Sequence, residues 1–239
     1  MFADAAREAD LILLAGNLTL HGEPDEAAAL VEAARDLEVP VVAVLGNHDW
    51  HANRSQELLS RLREGGVRML ERESTVLDLN ATKVGVAGVK GFVGGFPDSE
   101  LPDFGEPSLR RVYAETTAEV DALDRGLEDI SECDVRIALL HYAPTTMTLE
   151  GEPRVIWAFL GSDRLAAPIA RQAGADCLAS DAVRPIPLRL QDHRRLRGPR
   201  RRLDRRRDHD QDRSRDLDEI EYVEALPRLE HPLQSGLGE

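Results

Sequence analysis

Two short apolar runs that both end at a glycine, with a helical stretch between them, constrain the fold of this chain most strongly. The runs are residues 11–15 and 39–45, and they are followed by Gly16 and Gly46. Runs of this length and composition are typical of strands buried on both faces of a parallel sheet. Residues 24–37 begin with proline and carry their alanines and leucines at helical spacing. A strand–helix–strand order, with a second helix over residues 52–64, predicts an α/β fold whose parallel sheet is covered by helices.

The middle of the chain predicts further strands and helices. Residues 67–70, 74–79 and 83–89 are short β-prone runs, which we expect to form antiparallel strands. Residues 108–131 have the pattern of a long helix, residues 135–140 form another buried strand that ends at His141, and residues 162–173 predict one more helix. The loop over residues 91–105 is rich in glycine, proline and phenylalanine.

Charge and composition divide the chain after residue 177. Residues 1–177 carry 16 Lys/Arg against 31 Asp/Glu, whereas residues 178–239 carry 14 against 13. We therefore predict a folded domain over residues 1–177 and a disordered Arg/Asp-rich tail over residues 178–239, where apolar residues follow no period. The acidic domain argues against nucleic acid as a partner. No apolar stretch has the length of a membrane span, and we expect a cytoplasmic protein.

Polar residues follow three of the predicted strands. The first strand ends in Gly-Asn17, the second in Gly-Asn47-His48-Asp49, and the last in His141. Because functional sites of open α/β sheets form at the carboxyl ends of strands, we expect these residues to converge. Asn47 can give an amide oxygen to a divalent ion, His48 can protonate a leaving oxygen, and Asp49 can fix the tautomer of His48. The alternative is a polar turn with a solvated His48.

Three segments resemble successive motifs of the calcineurin-like metallophosphoesterases, over roughly residues 8–177. They are Leu-Ala-Gly-Asn-Leu-Thr-Leu-His-Gly at 14–22, Val-Leu-Gly-Asn-His-Asp at 44–49 and Leu-Leu-His-Tyr-Ala-Pro at 139–144. The resemblance implies a four-layer α/β sandwich that binds two divalent ions, Mn, Fe or Zn, and hydrolyses a phosphate-ester substrate. It also implies metal ligands at Asn47 and His141, a catalytic His48 and its partner Asp49.

The chain also departs from the motifs of that family. The family's first strand ends in Asp-x-His and its last motif is Gly-His-x-His, and the sequence contains neither at the expected place. Asn17 stands where the family has an aspartate that bridges both ions, so we expect Asn17 to be a weakened ligand. We therefore expect a sandwich that lacks its first strand and has an incomplete metal centre. Two functions remain open: a metal-dependent phosphoesterase, or an inactive member that serves as an interaction module on the same scaffold.

Overall fold

The computed structural model describes residues 6–7 and 9–172, and the backbone of residues 176–179 and 186–188. Its strands are β1 (Leu11–Ala15), β2 (Val41–Val44), β3 (Arg68–Met69), β4 (Glu73–Leu79), β5 (Thr82–Val89), β6 (Val135–Leu140), β7 (Asp176–Ala179) and β8 (Ile186–Leu188). Its α-helices are α1 (Ala27–Arg35), α2 (Ser55–Glu64), α3 (Pro107–Asp129), α4 (Trp157–Leu160) and α5 (Ala166–Arg171). Short 3-10 helices lie at Pro24–Glu26, His48–Trp50, Thr146–Leu149, Arg154–Ile156 and Asp163–Leu165. None of the helices in these residues is long and apolar enough to cross a membrane.

The strands form two four-stranded sheets of mixed direction. The first sheet has the order β3-β2-β1-β8, in which β1, β2 and β3 are parallel and β8 is antiparallel to β1. The second sheet has the order β4-β5-β6-β7, in which β5, β6 and β7 are parallel and β4 is antiparallel to β5. The turn between β4 and β5 has positive φ at Asn80 and Ala81, as a tight hairpin requires. The predicted parallel strands are present, and β4 and β5 form the predicted antiparallel pair. The prediction of an antiparallel strand over residues 67–70 is wrong, because β3 pairs with β2 in parallel.

Three apolar clusters stack the two sheets and the helices into four layers. The first cluster lies between the sheets and contains Leu13, Val44, Val86 and Leu139 among its members. The second packs α1 and α2 on the outer face of the first sheet, and the third packs α3 and α5 on the outer face of the second. Successive side chains of a strand point to opposite faces, so strands buried on both faces must be apolar throughout. The four-layer α/β sandwich predicted from the sequence is confirmed.

The segment predicted as a tail contributes to both sheets. The boundary after residue 177 falls inside β7, and β8 lies beyond it. β1 is the first strand in the described residues, and β8 occupies its side away from β2. Residues 180–185 and 189–239 lie outside the described residues, so disorder in the tail stays a prediction.

Candidate functional site

Three loops meet where β1, β2 and β6 end. The Nε2 atom of His141 lies 2.8 Å from Oδ1 of Asn47, although 94 residues separate the two along the chain. The Nδ1 atom of His141 lies 2.9 Å from the carbonyl oxygen of Ala15. The side-chain oxygen of Asn17 accepts a hydrogen bond of 3.1 Å from the backbone N–H of His48. The polar residues chosen from these three strand ends therefore lie together at one edge of the sandwich.

Two glycines allow this close approach. A Cβ atom on Gly16 would lie 2.6 Å from Nδ1 of His141, and one on Gly46 would lie 2.2 Å from the backbone nitrogen of Asn17. Gly16 has a φ of +93°, a backbone conformation that residues with a Cβ atom rarely adopt. Asn17 follows with a φ of 50°, in the left-handed region that asparagine tolerates better than most residues. Backbone thus contacts backbone at this edge, and the polar side chains project beyond it.

Asp49 holds the loops together and does not contact the ring of His48. Its carboxylate is fully buried and accepts four hydrogen bonds, from the N–H of Leu18, Thr19 and Gly46 and from the hydroxyl of Thr19. The lengths lie between 2.6 and 3.1 Å. The short 3-10 helix at His48–Trp50 turns this carboxylate inward, away from the neighbouring imidazole. The predicted role of fixing the His48 tautomer is therefore corrected, and Asp49 instead fixes the positions of the first two loops.

His48 is oriented by a backbone carbonyl. Its Nδ1 atom lies 3.2 Å from the carbonyl oxygen of Leu20. A carbonyl only accepts, so Nδ1 carries the hydrogen, and Nε2 faces away from this contact. Nε2 has no hydrogen-bond partner in the described part of the chain. The ring of His51 lies 4.7 Å from that of His48, centroid to centroid, and both side chains reach solvent. His48 can therefore present Nε2 to a ligand.

The contact between Asn47 and His141 fits two ligands of one cation. Because Nδ1 of His141 donates to a carbonyl, Nε2 of the neutral ring carries a lone pair. The Oδ1 atom of Asn47 is also a lone-pair donor, so a cation between the two atoms would satisfy both lone pairs. Rotation of the Asn47 amide by half a turn would also do so, because it places the NH₂ group against Nε2. Two ligands that are each about 2.1 Å from one ion lie roughly 3 Å apart when they subtend a right angle. The observed 2.8 Å is close to that separation.

The same residues do not complete a centre for two ions. Asn17, Asn47 and His141 are all neutral donors, and Oδ1 of Asn17 already accepts from the His48 backbone. The carboxylate of Asp49 is occupied by its four donors. In the described residues no group of three or more His, Cys, Asp or Glu side chains is placed to hold a metal. Neutral ligands do little to offset the repulsion between two dications, so the donor set fits one ion.

Buried charged residues beside the site were missed by the sequence analysis. Lys90 is 5% exposed and Glu119 is fully buried, where Glu119 accepts from Nε of Arg72 and from the N–H of Gly91, each at 2.9 Å. Oε2 of Glu71 is buried without a hydrogen-bond partner. Burial, reinforced by the charge of Glu119, raises the pKa of Glu71 to about 7. These residues belong to no motif. Only the alternation of side chains along β5 indicates that the side chain of Lys90 points inward.

The family model and one solved structure with a TM-score above 0.5 agree with this architecture. The family model described as calcineurin-like phosphoesterase matches residues 1–171. A crystal structure of phosphopantetheinyl hydrolase from Mycobacterium tuberculosis is similar, with a TM-score of 0.54 and 15% identity over 74% of this chain and 76% of that chain. A putative 5'-nucleotidase from Staphylococcus aureus, in complex with alpha-ketoglutarate, gives a TM-score of 0.43 and 15% identity over 71% of this chain and 35% of that chain. A comparison with curated proteins found no match. With more than two thirds of its length matched by one family model and the four layers in place, the chain belongs to the calcineurin-like phosphoesterase family.

Proposed function

We propose that this chain hydrolyses a phosphate ester at the edge where β1, β2 and β6 end, and that the reaction depends on a divalent ion. The observation that carries the proposal is the contact of 2.8 Å between Asn47 and His141 beside His48, whose Nε2 faces no partner in the described residues. Ligand atoms and a proton donor thus stand at one edge. Membership of a phosphoesterase family supports the same reaction class.

His48 acts as the proton donor in this proposal. The carbonyl of Leu20 accepts the hydrogen on Nδ1, so when the ring is protonated its second, transferable proton is on Nε2. A leaving alkoxide or aryloxide needs such a proton, and a positioned, protonated imidazole can supply it. Asp49 acts as a positioning residue, because its four hydrogen bonds fix the loop that carries His48.

Asn47 and His141 are the residues that would hold the ion, with Mn, Fe or Zn as the candidates. A bound divalent ion supplies a Lewis acid for the phosphoryl oxygens and activates water as a nucleophile. The carbonyl of Ala15 orients the His141 ring so that its Nε2 lone pair faces the Asn47 amide. A second-sphere carbonyl of this kind also fixes the tautomer that a metal requires.

A non-catalytic role is the second candidate, and the neutral donor set favours it. Asn17 contributes an amide where the family's bridging position calls for a carboxylate, and no described carboxylate replaces it. Two imidazole or amide ligands bind a dication more weakly than a set that includes anionic oxygens. A chain that folds but takes up no ion would serve as an interaction module on the phosphoesterase scaffold.

The deciding experiment measures Mn²⁺ binding and hydrolysis on the same purified protein. Calorimetric titration of the metal-free protein with Mn²⁺ is followed by assays with an aryl phosphate monoester and a diester. We compare the wild type with His141→Ala, which removes a ligand, and His48→Ala, which removes the proton donor. His21→Ala is the matched control, because His21 is exposed and pairs only with Glu26 among the described residues.

The proposal predicts a distinct pattern across these proteins. The wild type and the His21 control bind Mn²⁺ and hydrolyse at least one ester. His141→Ala loses Mn²⁺ binding, and His48→Ala keeps binding but loses roughly 100-fold or more in rate, the contribution of general acid catalysis. A folded wild type that neither binds Mn²⁺ nor turns over either ester would refute the enzymatic proposal and favour the interaction module.

A further inference from the structure

Lys90 lies beside His141 on the face of the second sheet that is turned toward the first sheet. It directly follows β5, and His141 directly follows β6, in a parallel pair whose last register partners are Val89 and Leu140. Side chains alternate along a strand, and Val86 on β5 and Leu139 on β6 both belong to the cluster between the sheets. The side chains of Lys90 and His141 therefore leave the same face of the same sheet edge, as neighbours. The carbonyl of Lys90 also accepts the N–H of His141, at 3.1 Å.

The ammonium group of Lys90 is surrounded mainly by aromatic rings. Nζ lies 4.4 Å from the ring centroid of Phe92, 5.2 Å from that of Tyr142 and 5.7 Å from that of Trp50. Its hydrogen bond among the described residues goes to the carbonyl of Gly91, at 3.0 Å. An ammonium has three N–H donors, so this bond leaves part of its donor capacity for another acceptor. The nearby rings favour a cation without supplying an oxygen acceptor.

No carboxylate forms an ion pair with Lys90 within the described ranges. Glu119 is engaged by Arg72 and by the N–H of Gly91, and Oε2 of Glu71 has no hydrogen-bond partner among the described residues. Burial lowers the pKa of Lys90 although the charges of Glu119 and Glu71 oppose this effect, so an oxyanion that reached Nζ would stabilise the charged ammonium. The chain has 28 arginines and only two lysines, Lys83 and Lys90. Lysine supplies a compact point charge at this position, as phosphate groups accept.

Trp50 connects this ammonium to the catalytic loop. It ends the short helix at His48–Trp50, so the ring within 5.7 Å of Nζ is carried by the same turn as His48. Trp50 is 38% exposed, so this member of the surrounding rings reaches solvent. Lys90 thus lies between the turn that carries His48 and the strand end that carries His141.

We propose that Lys90 binds the phosphoryl group of the substrate, as the anion-binding residue of this site. The inference rests on the proposed function, because it assigns Lys90 to the same site. Asn17, Asn47 and His141 are neutral donors, so their side chains add no negative charge to repel a phosphoryl oxyanion. The ammonium of Lys90 belongs to the protein and not to a bound ion, so inorganic phosphate should bind to the metal-free protein.

Calorimetry with inorganic phosphate on the metal-free full chain tests this assignment. Lys90→Met keeps the length and the apolar stem of the side chain and removes its charge. Lys83→Met is the matched control, because Lys83 is exposed at the opposite end of the same strand. We expect at least about tenfold weaker phosphate binding for Lys90→Met, the loss typical of a charged hydrogen bond, and wild-type affinity for the control. Equal affinity of a folded Lys90→Met protein and the wild type would overturn the assignment.

A second measurement needs no substitution at position 90. Protein labelled with ¹³C on its lysines gives two side-chain signals, which the Lys83→Met protein assigns. Phosphate should shift the Lys90 signal in a saturable way and leave the Lys83 signal in place. A Lys90 signal that does not move over phosphate concentrations that saturate the calorimetric signal would refute the inference independently of any folding defect.

Hydrolysis assays separate this inference from the proposed function. If the wild type turns over an aryl phosphate ester, Lys90→Met should raise KM more than it lowers kcat, and an unchanged KM would count against Lys90 alone. If no protein turns over any ester while phosphate still shifts the Lys90 signal, the proposed hydrolysis fails and the anion site stands.

Discussion

Glu71 places a carboxyl group in a region with little water, so its replacement by glutamine tests the buried charge cluster. Burial is the main reason why the pKa of Glu71 rises from the usual 4.5 to about 7, and the negative charge of Glu119 adds to it. Lys90 and Arg72 oppose this effect without cancelling it. The folded protein therefore holds the Glu71 proton over a pH range in which the unfolded chain releases it.

The sign and size of the effect follow from this difference in pKa. Below pH 4.5 both states are protonated, and the favourable contribution of Glu71 to the free energy of unfolding is fully present. As the pH rises through about 7, the folded state must also ionise, and that contribution is lost. The difference between 4.5 and about 7 corresponds to ~3 kcal/mol. The wild type should therefore lose that much stability, relative to Glu71→Gln, between pH 4.5 and pH 8.

Urea unfolding of the wild type and Glu71→Gln at several pH values from 5 to 8 measures this difference. Subtracting the two curves removes the other titrating groups, since the variant differs only at Glu71. Glu64→Gln is a suitable control because Glu64 is an exposed carboxyl on α2. A stability difference between wild type and Glu71→Gln that stays constant across this pH range would refute the assignment of the raised pKa to Glu71.

Two further predictions concern the loops of the site. Asp49→Asn should lower the free energy of unfolding by roughly 3 kcal/mol, because in either orientation the amide nitrogen, itself a donor, would face two hydrogen-bond donors. A loss below about 1 kcal/mol in urea unfolding would contradict the four-donor arrangement. Gly46→Ala should cost about 2 kcal/mol or more and weaken Mn²⁺ binding in calorimetry, since its Cβ would lie 2.2 Å from the Asn17 nitrogen; unchanged stability and affinity would show that the loops separate without cost.

The order of the elements was predictable because each carries its own local pattern. Residues 11–15 were predicted as a strand and coincide with β1, and residues 135–140 coincide with β6, since unbroken apolar runs leave few alternatives. The long helix predicted over residues 108–131 is α3, Pro107–Asp129. The convergence of the strand ends followed from the rule for open α/β sheets and needed no contact information.

The contacts within the site were less predictable because they depend on where a turn directs a side chain. Asp49 follows His48 in sequence, yet the short helix directs its carboxylate to backbone donors around residue 19. Glu71, Lys90 and Glu119 lie on three separate segments. No sequence pattern indicates that Lys90 and Glu119 will be buried and that Oε2 of Glu71 will be buried as well. β8 pairs with β1 from a segment whose composition gave no strand period.

The candidate site is built half from each sheet. Asn47 follows a strand of the first sheet and His141 a strand of the second, with 94 residues between them. Any ion or ligand that bridges these two side chains would therefore tie the sheets to each other, as a reversible cross-link restricts a long loop of an unfolded chain. Ligand binding and the packing of the two sheets against each other would then be thermodynamically linked. A core substitution that creates a cavity between the sheets, far from this edge, should therefore weaken the affinity for the ligand.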